Sequence, residues 1–309
     1  MSMITVIGSS NTDMIMQLDK IPFPGETLIG NQFSTAPGGK GANQAVASAR
    51  LGGNVSFIGC VGNDQLGDSA IKILKNESIN INYVKRSDKN PSGVAFIFVD
   101  KEGQNSIGVA SGANFDIKVE DIVNSEHILS KSSVILTQLE TPMDVIEKAA
   151  NISKNYDSTF ILNPAPYQSL SDDLIKNIDI ITPNRTEVSQ MTGIDVVDSS
   201  SAQKASNILH DKGIKTVIIT MGKKGSFFSR INEKFLMVDP YKVKSIDSTA
   251  AGDVFNGAIA CALSKAKGIS ESIKFANAAA ALSTTKLGAI PSAPTNKEVV
   301  DFIKNNLNI

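Results

Sequence analysis

A carboxylate at the mouth of a helix, directly behind small residues and a glycine, can take a proton from a hydroxyl beside bound negative charge. The stretch Ala250-Ala251-Gly252-Asp253 has this form. It follows the polar run Asp247-Ser248-Thr249 and precedes an apolar helical pattern over Val254–Lys265. Glycine lets a ligand approach the backbone, the free N–H groups of a helix start point outward, and the helix dipole favours an anion there. Asp253 is then placed to act as a general base while the amides take developing phosphate charge. The same four residues also read as an ordinary helix cap.

Four further segments carry the same double reading. Pro37-Gly38-Gly39-Lys40-Gly41-Ala42-Asn43-Gln44-Ala45 is a glycine-rich turn feeding a helix, and the polar trio Lys40, Asn43 and Gln44 favours ligand contact. It is not a phosphate-binding P-loop, because Lys40 is followed by Gly41 rather than Ser or Thr. In Ser9-Ser10-Asn11-Thr12-Asp13, Asn11 and Asp13 are two apart, so an extended segment puts both on one side, suited to vicinal hydroxyls; an Asx turn is the alternative. In Thr182-Pro183-Asn184-Arg185-Thr186-Glu187, Asn184 and Glu187 share a face of a helix start, where they can order a hydrated cation or simply form a capping box. Thr220-Met221-Gly222-Lys223-Lys224-Gly225 permits close approach of a nucleotide, or makes a plain strand-to-hairpin turn. Convergence carries the functional reading, because most of these segments end strands or open helices, where one edge of a sheet would gather them.

The elements that would position them alternate. Strands are expected over Ile4–Gly8, Val55–Cys60, Val134–Leu139, Thr159–Leu162, Asp179–Thr182 and Val217–Met221, several apolar on both faces. Helical patterns run over Gly41–Leu51, Leu66–Glu77, Pro142–Lys154, Ala202–Lys212 and Val254–Lys265, with two more over Glu271–Lys286 and Asn296–Asn305. This order predicts a three-layer α/β/α sandwich around a mostly parallel, Rossmann-like sheet, as one domain over residues 1–309. Residues 12–36 and a hairpin over 93–110 break the alternation and predict a small separate sheet, a natural lid or equally an edge extension. A second hairpin is expected over Gly225–Arg230 and Lys234–Val238.

Composition excludes several alternatives. The 309 residues carry 30 basic and 31 acidic side chains, so no basic excess suggests a nucleic-acid partner. His127 and His210 both fall in amphipathic helical patterns, which disfavours histidine-based catalysis or metal ligation. Cys60 and Cys261 lack metal-ligand spacing, and two thiols suit a reducing compartment. The amino-terminal residues read as a strand rather than a signal peptide, and no apolar run reaches membrane-spanning length. The expected location is cytoplasmic, with no membrane partner.

In this order, the quoted segments resemble the ribokinase (PfkB) family of carbohydrate kinases over essentially the whole chain. Gly38–Ala45 matches its amino-terminal signature, Asp247–Ala258 its carboxy-terminal one, and Asn184 with Glu187 its Asn-x-x-Glu motif. The resemblance implies ATP-dependent phosphorylation of D-ribose at the 5-hydroxyl, with Asp253 as base and the amides of Ala250, Ala251 and Gly252 as the anion hole. It implies Asn11, Asp13, Gly39, Lys40, Asn43, Glu140 and Asp253 as sugar ligands. Asn184, Thr220, Gly222, Gly225, Gly252 and Asn277 would bind ATP, with Asn277 near the adenine, and Glu187 would hold Mg2+ through water. K+ or a similar monovalent cation would sit on Asp247, Thr249, Ser283, Lys286, Gly288 and Ser292, several through backbone carbonyls. A homodimer joined through the lid is also implied. Rival readings are the same chemistry on 2-deoxyribose, fructose or a nucleoside, and a non-catalytic sugar-binding regulator, which should have lost Asp253 or Gly252. A dinucleotide-dependent dehydrogenase would need G-x-G-x-x-G after the first strand, which is missing here.

Overall fold

The computed structural model describes residues 2–307. Its strands are β1 (Met3–Ile7), β2 (Asn11–Gln17), β3 (Gln32–Gly38), β4 (Asn54–Gly62), β5 (Asn80–Ser87), β6 (Gly93–Val99), β7 (Asn105–Ala110), β8 (Ser132–Thr137), β9 (Thr159–Leu162), β10 (Ile180–Ile181), β11 (Thr216–Thr220), β12 (Ser226–Arg230) and β13 (Leu236–Val238). Its helices are α1 (Lys40–Arg50), α2 (Gln65–Asn76), α3 (Val119–Asn124), α4 (Glu126–Leu129), α5 (Met143–Ser153), α6 (Asp172–Asn177), α7 (Arg185–Thr192), α8 (Ser199–Asp211), α9 (Ala251–Ser264), α10 (Ile269–Ser283) and α11 (Asn296–Leu307).

Nine strands form the central sheet in the order β13-β12-β11-β10-β9-β8-β1-β4-β5, parallel from β11 to β5, with β12 and β13 antiparallel at one edge. The strands are apolar on both faces because both faces are covered. Ile4, Val6, Val134 and Leu136 pack into one core with α1, α9 and α10, while Ile7 and Ile135 point the other way into a core with α5, α6 and α8. The chain runs from β1 outward through β4 to β5, then returns to β8 and proceeds the other way. That reversal between β1 and β8 opens a crevice at the carboxyl ends of the strands.

The small sheet is separate, ordered β3-β2-β6-β7. It is tied to the crevice at both ends of the β2–β3 pair, since β2 leaves β1 after three residues and β3 runs into α1 through Gly39. Gly39 has φ 89°, and a Cβ there would lie 2.6 Å from the Asn11 nitrogen, so only glycine makes this junction. The register puts Asn11, Asp13, Ile15 and Ile107 on one face, and Phe33, Phe96 and Phe98 on the other.

Most expected elements agree with the structure to within a few residues, the small sheet included. The strand expected over Asp179–Thr182 shrinks to two residues, with the Asp179 carboxylate accepting from the Phe160 amide and pairing with Lys154. Strand β5 goes beyond the sequence expectation, because its polar–apolar alternation covers only Asn80–Tyr83 before Val84 and the polar run Lys85-Arg86-Ser87 break it. The short helices α3, α4, α6 and α7 fall below the length at which periodicity is legible. Among the described residues, no helix is long and apolar enough to cross a membrane.

Helix α9 crosses α1 at Gly257, where a Cβ would lie 2.7 Å from both the Gln44 carbonyl oxygen and the Ala47 Cβ; Ser48 Oγ donates to the Gly257 carbonyl at 3.0 Å. Gly268, by contrast, has open space around it. Gly257→Ala is expected to cost about 1–3 kcal/mol by overpacking, measured by chemical denaturation, with Gly268→Ala close to neutral. Equal effects at the two sites would contradict the close crossing.

Candidate active site

Asp253 stands in the first turn of α9, 7% exposed. Its Oδ2 accepts from Asn43 Nδ2 and its Oδ1 from Gln44 Nε2, both at 2.9 Å. Burial pushes its pKa up; the Lys40 ammonium and the two amide donors pull it down, and Glu140 adds to the rise. Asn43 and Gln44 reach it because α1 begins beside the crevice and is held against α9. Asn43 Oδ1 is buried with no partner, an acceptor facing the need for a donor.

Lys40 is the cation among four carboxylates. Burial lowers its pKa, but Asp253, Glu140, Glu187 and Asp13 outweigh this, so the ammonium is held above its usual range. Asp13 is pushed up to about 6 by burial, then by the charges of Glu140 and Asp253, with Lys40 opposing. Glu187 is raised by burial against its bond from the Asn184 amide and the charge of Lys40. Glu140, just past β8, caps α1 from outside the helix: its Oε2 accepts from the Lys40 amide at 3.1 Å and from Ser9 Oγ at 2.5 Å, and its Oε1 lies 3.8 Å from Lys40 Nζ. On β2, Asn11 Oδ1 accepts from Asn114 Nδ2 at 2.6 Å, and Asn114 is in turn held by the Ser10 amide at 2.9 Å. A single fixed orientation of the Asn11 amide follows. Asp13, Lys40, Glu140 and Asp253 therefore form one cluster of charge, with Asn43 bonded to Asp253 and Gly39 packed against Asn11.

At the start of α9, Ala250 has φ 58°, the left-handed conformation, immediately before a right-handed helix. Such a change of hand makes a concave nest of amides. The Ala251 amide donates to the Ser248 carbonyl at 3.2 Å and closes this turn.

A cavity of about 420 Å³ ends on Ala251 and Gly252 and is also lined by Thr220, Gly222, Gly225 and Asn277, so the expected nucleotide residues do converge. Its size suits a small-molecule cofactor or substrate. Asn277, however, has no free amide: Oδ1 accepts from Ser226 Oγ at 2.6 Å, and Nδ2 donates to the Val238 and Asp239 carbonyls, each at 3.3 Å. It shapes the wall and ties α10 to β13 rather than offering a polar contact. Asn184 does not line this cavity; it caps α7, with Nδ2 and its own amide donating to Glu187 at 2.8 Å each, and pairs with Thr220 through a single bridge. The capping-box reading and the ligand reading thus coexist, since Glu187 stays within the field of Lys40 and Asp253.

The expected cation ligands lie on two loops fastened together. The Ile246 and Asp247 amides donate to the Thr284 carbonyl, and the Gly288 amide donates to Asp247 Oδ2 at 2.8 Å. Although burial acts against it, bonds from Thr249 and Gly288 hold the Asp247 carboxyl below its usual pKa. Lys286 turns its ammonium to Glu298 at 2.7 Å, so only its carbonyl is left for a cation. Ser283 and Ser292 are buried, and their hydroxyls donate to the Ala280 and Ala289 carbonyls.

Sequence reasoning missed Asn114, Gln138 and Asn163, single polar residues with no motif around them. Gln138 and Asn163 are buried just past the ends of β8 and β9, and Asn114 is buried in a turn, placements that sequence does not display. Gln44 was grouped with Lys40 and Asn43 as ligand-facing; it is wholly buried and touches Asp253 instead. The histidines are structural: His210 bonds the Ile214 carbonyl and Ser229, and His127 pairs with Tyr83.

The model of the pfkB family carbohydrate kinases matches residues 1–296. A ribokinase of Haemophilus influenzae is 46% identical over 302 residues, 98% of each chain. A deoxyribokinase of Salmonella typhimurium is 34% identical over 304 residues, 98% of this chain and 99% of its own. The structure of Arabidopsis thaliana ribokinase complexed with ribose and ATP is similar with a TM-score of 0.92 at 31% identity, covering 98% of this chain and 99% of that one. With a family match across nearly its whole length, a similar fold and a carboxylate buried at a helix start, the chain belongs to the pfkB family of carbohydrate kinases.

Proposed function

We propose that this kinase transfers the terminal phosphoryl group of ATP to the 5-hydroxyl of D-ribose, giving D-ribose 5-phosphate and ADP. The observation that carries this reading is the position of Asp253: its carboxylate lies between the sugar-side cluster of Asp13, Lys40, Asn43 and Glu140 and the amides at the end of the nucleotide cavity. Asp253 accepts the proton of the 5-hydroxyl as that oxygen bonds to the terminal phosphorus and the bond to the ADP oxygen breaks. The Ala250 and Gly252 amides take the charge that grows on the phosphoryl oxygens, and Lys40 balances the carboxylates around it. With the small sheet over the cleft as a lid, water is kept from the phosphoryl group.

The residues present fit magnesium. Hydrated Mg2+ needs one or two carboxylates and takes the rest of its shell from water and phosphates. Glu187 offers such a carboxylate, fixed by Asn184, and among the described residues no cluster of three His, Cys, Asp or Glu side chains forms an all-protein cage. When bound, the ion would neutralise phosphate charge. The loop pair 247–249 and 283–292 fits a monovalent cation: its donors are all oxygens, with Asp247 held anionic and the Lys286 ammonium turned away. Because the reaction consumes ATP, the compartment proposed is the cytoplasm. The outer face of the small sheet, with Phe33 59% and Phe96 48% exposed, suits pairing with a second copy.

2-Deoxyribose is the second acceptor to weigh, because a relative bears the name deoxyribokinase. Asn11 and Asp13, two apart on β2 and on one face, favour an acceptor with vicinal hydroxyls. A coupled assay with Mg2+ATP is expected to give strongest turnover with ribose over 2-deoxyribose, fructose and adenosine, raised by K+ over Na+. Preference for 2-deoxyribose would overturn the acceptor, and a rate indifferent to K+ would overturn the cation site.

Asp253→Asn is expected to bind ribose normally while kcat drops by about 10²–10⁴, the usual size of a general-base contribution. Near-normal turnover would reject Asp253 as base. The raised pKa of Asp13 gives a separate expectation. Its ionised carboxylate is the stronger hydrogen-bond acceptor for sugar hydroxyls, so KM for ribose should rise as pH falls through about 6. A ribose KM constant from pH 8 to 5 would remove Asp13 from the sugar site.

A further inference from the structure

Gln44 has no access to any ligand, yet it holds the proposed base. It is fully buried, and its Nε2 donates both to Asp253 Oδ1 at 2.9 Å and to Asn163 Oδ1 at 3.0 Å. Its Oε1 accepts from Gln138 Nε2 at 2.7 Å, and Asn163 Nδ2 donates to the Thr182 carbonyl at 3.1 Å. Gln138, Asn163 and Thr182 each follow the end of a different strand: β8, β9 and β10.

The direction of this chain of amides is fixed from its far end. A backbone carbonyl only accepts, so Asn163 must turn its nitrogen to Thr182 and its oxygen to Gln44. Gln44 must then present nitrogen to Asn163, and the same nitrogen meets Asp253. Reversing Gln44 would set its oxygen against two acceptors, one of them a carboxylate. Asn43 differs: it donates to Asp253 Oδ2 at 2.9 Å, but its own Oδ1 is buried with no hydrogen-bond partner. One oxygen of Asp253 is thus tied to a residue whose own amide is half satisfied, and the other to one anchored on the strand ends.

We propose that Gln44 is a positioning residue of the reaction, fixing the Asp253 carboxylate against the sugar hydroxyl by anchoring it through Gln138 and Asn163 to three strand ends. The inference rests on the reading of Asp253 as the base. The donor from Gln44 also favours the ionised carboxylate over the acid, alongside Lys40 on α1 and against Glu140 after β8, Asp13 on β2 and Glu187 on α7.

The test is the pH profile of kcat at saturating ribose and ATP, where Asp13 is held by sugar. In Gln44→Met, one donor to the base is lost, so the acidic limb should move up by about one pH unit and kcat at neutral pH should fall about tenfold. A side chain that only filled space would lower kcat equally at every pH. Gln138→Met serves if Gln44→Met does not fold: it leaves the donor on Asp253 but cuts the anchor to β8. There kcat should fall several-fold with both KM values and the limb unchanged. An unmoved limb in folded Gln44→Met, or wild-type kcat in Gln138→Met, would overturn the proposal while an inert Asp253→Asn keeps the base assignment intact. Turnover in Asp253→Asn would sink both together.

Discussion

The structure is organised around the cost of burying one carboxylate, Asp253, at the crossing of α1 and α9. An uncompensated buried charge costs several kcal/mol, so donors and a countercharge must be brought to it. Two side-chain amides supply the donors and Lys40 the countercharge, all from the first turns of α1. That requirement fixes much else. Helix α1 must start at the crevice, which Gly39 permits, and must lie against α9, which Gly257 permits. The strand ends must supply the outer partners of the amides, which a parallel sheet does because its carboxyl ends all face one side.

The two halves of the cleft differ in kind. The sugar side concentrates charge, with Asp13, Glu140, Asp253 and Glu187 around one ammonium. Burial first, and then the charges of Glu140 and Asp253, push Asp13 up to about 6 there. The other half is a roomier cavity lined by a mix of small, apolar and polar residues, Lys223, Tyr241, Lys242 and Phe255 among them, with Asn277 already bonded within the wall. The left-handed Ala250 joins the halves, turning its neighbours' amides toward the place where both substrates would meet.

Much of this was legible in the sequence. Asp253 was visible because glycine and alanine before an aspartate at a helix start form a local pattern, and the glycine-rich turn before Asn43 was visible for the same reason. The small sheet was visible because Pro22, Pro24, Gly25 and a hairpin interrupt the βα alternation. What stayed hidden was non-local. Asn114 acts on Asn11 from 103 residues away, and Gln44 meets Asn163 across 119. Nothing in the neighbouring residues marks either pair. Gln44 was seen but misassigned, because its neighbours on α1 face the cleft and one further step around the helix turns it to the sheet. Sequence shows which amides begin a helix, but not that the Ala251 amide also bonds the preceding turn at Ser248.

The most direct measurement is a crystal structure of this protein with D-ribose and a non-hydrolysable ATP analogue. The account expects the 5-hydroxyl oxygen within hydrogen-bonding distance of the Asp253 carboxylate, with that oxygen in line with the terminal phosphorus and the phosphoryl oxygens on the Ala250 and Gly252 amides. A ribose held with its 5-hydroxyl on Glu140 or Asp13, and Asp253 left out of reach, would contradict it.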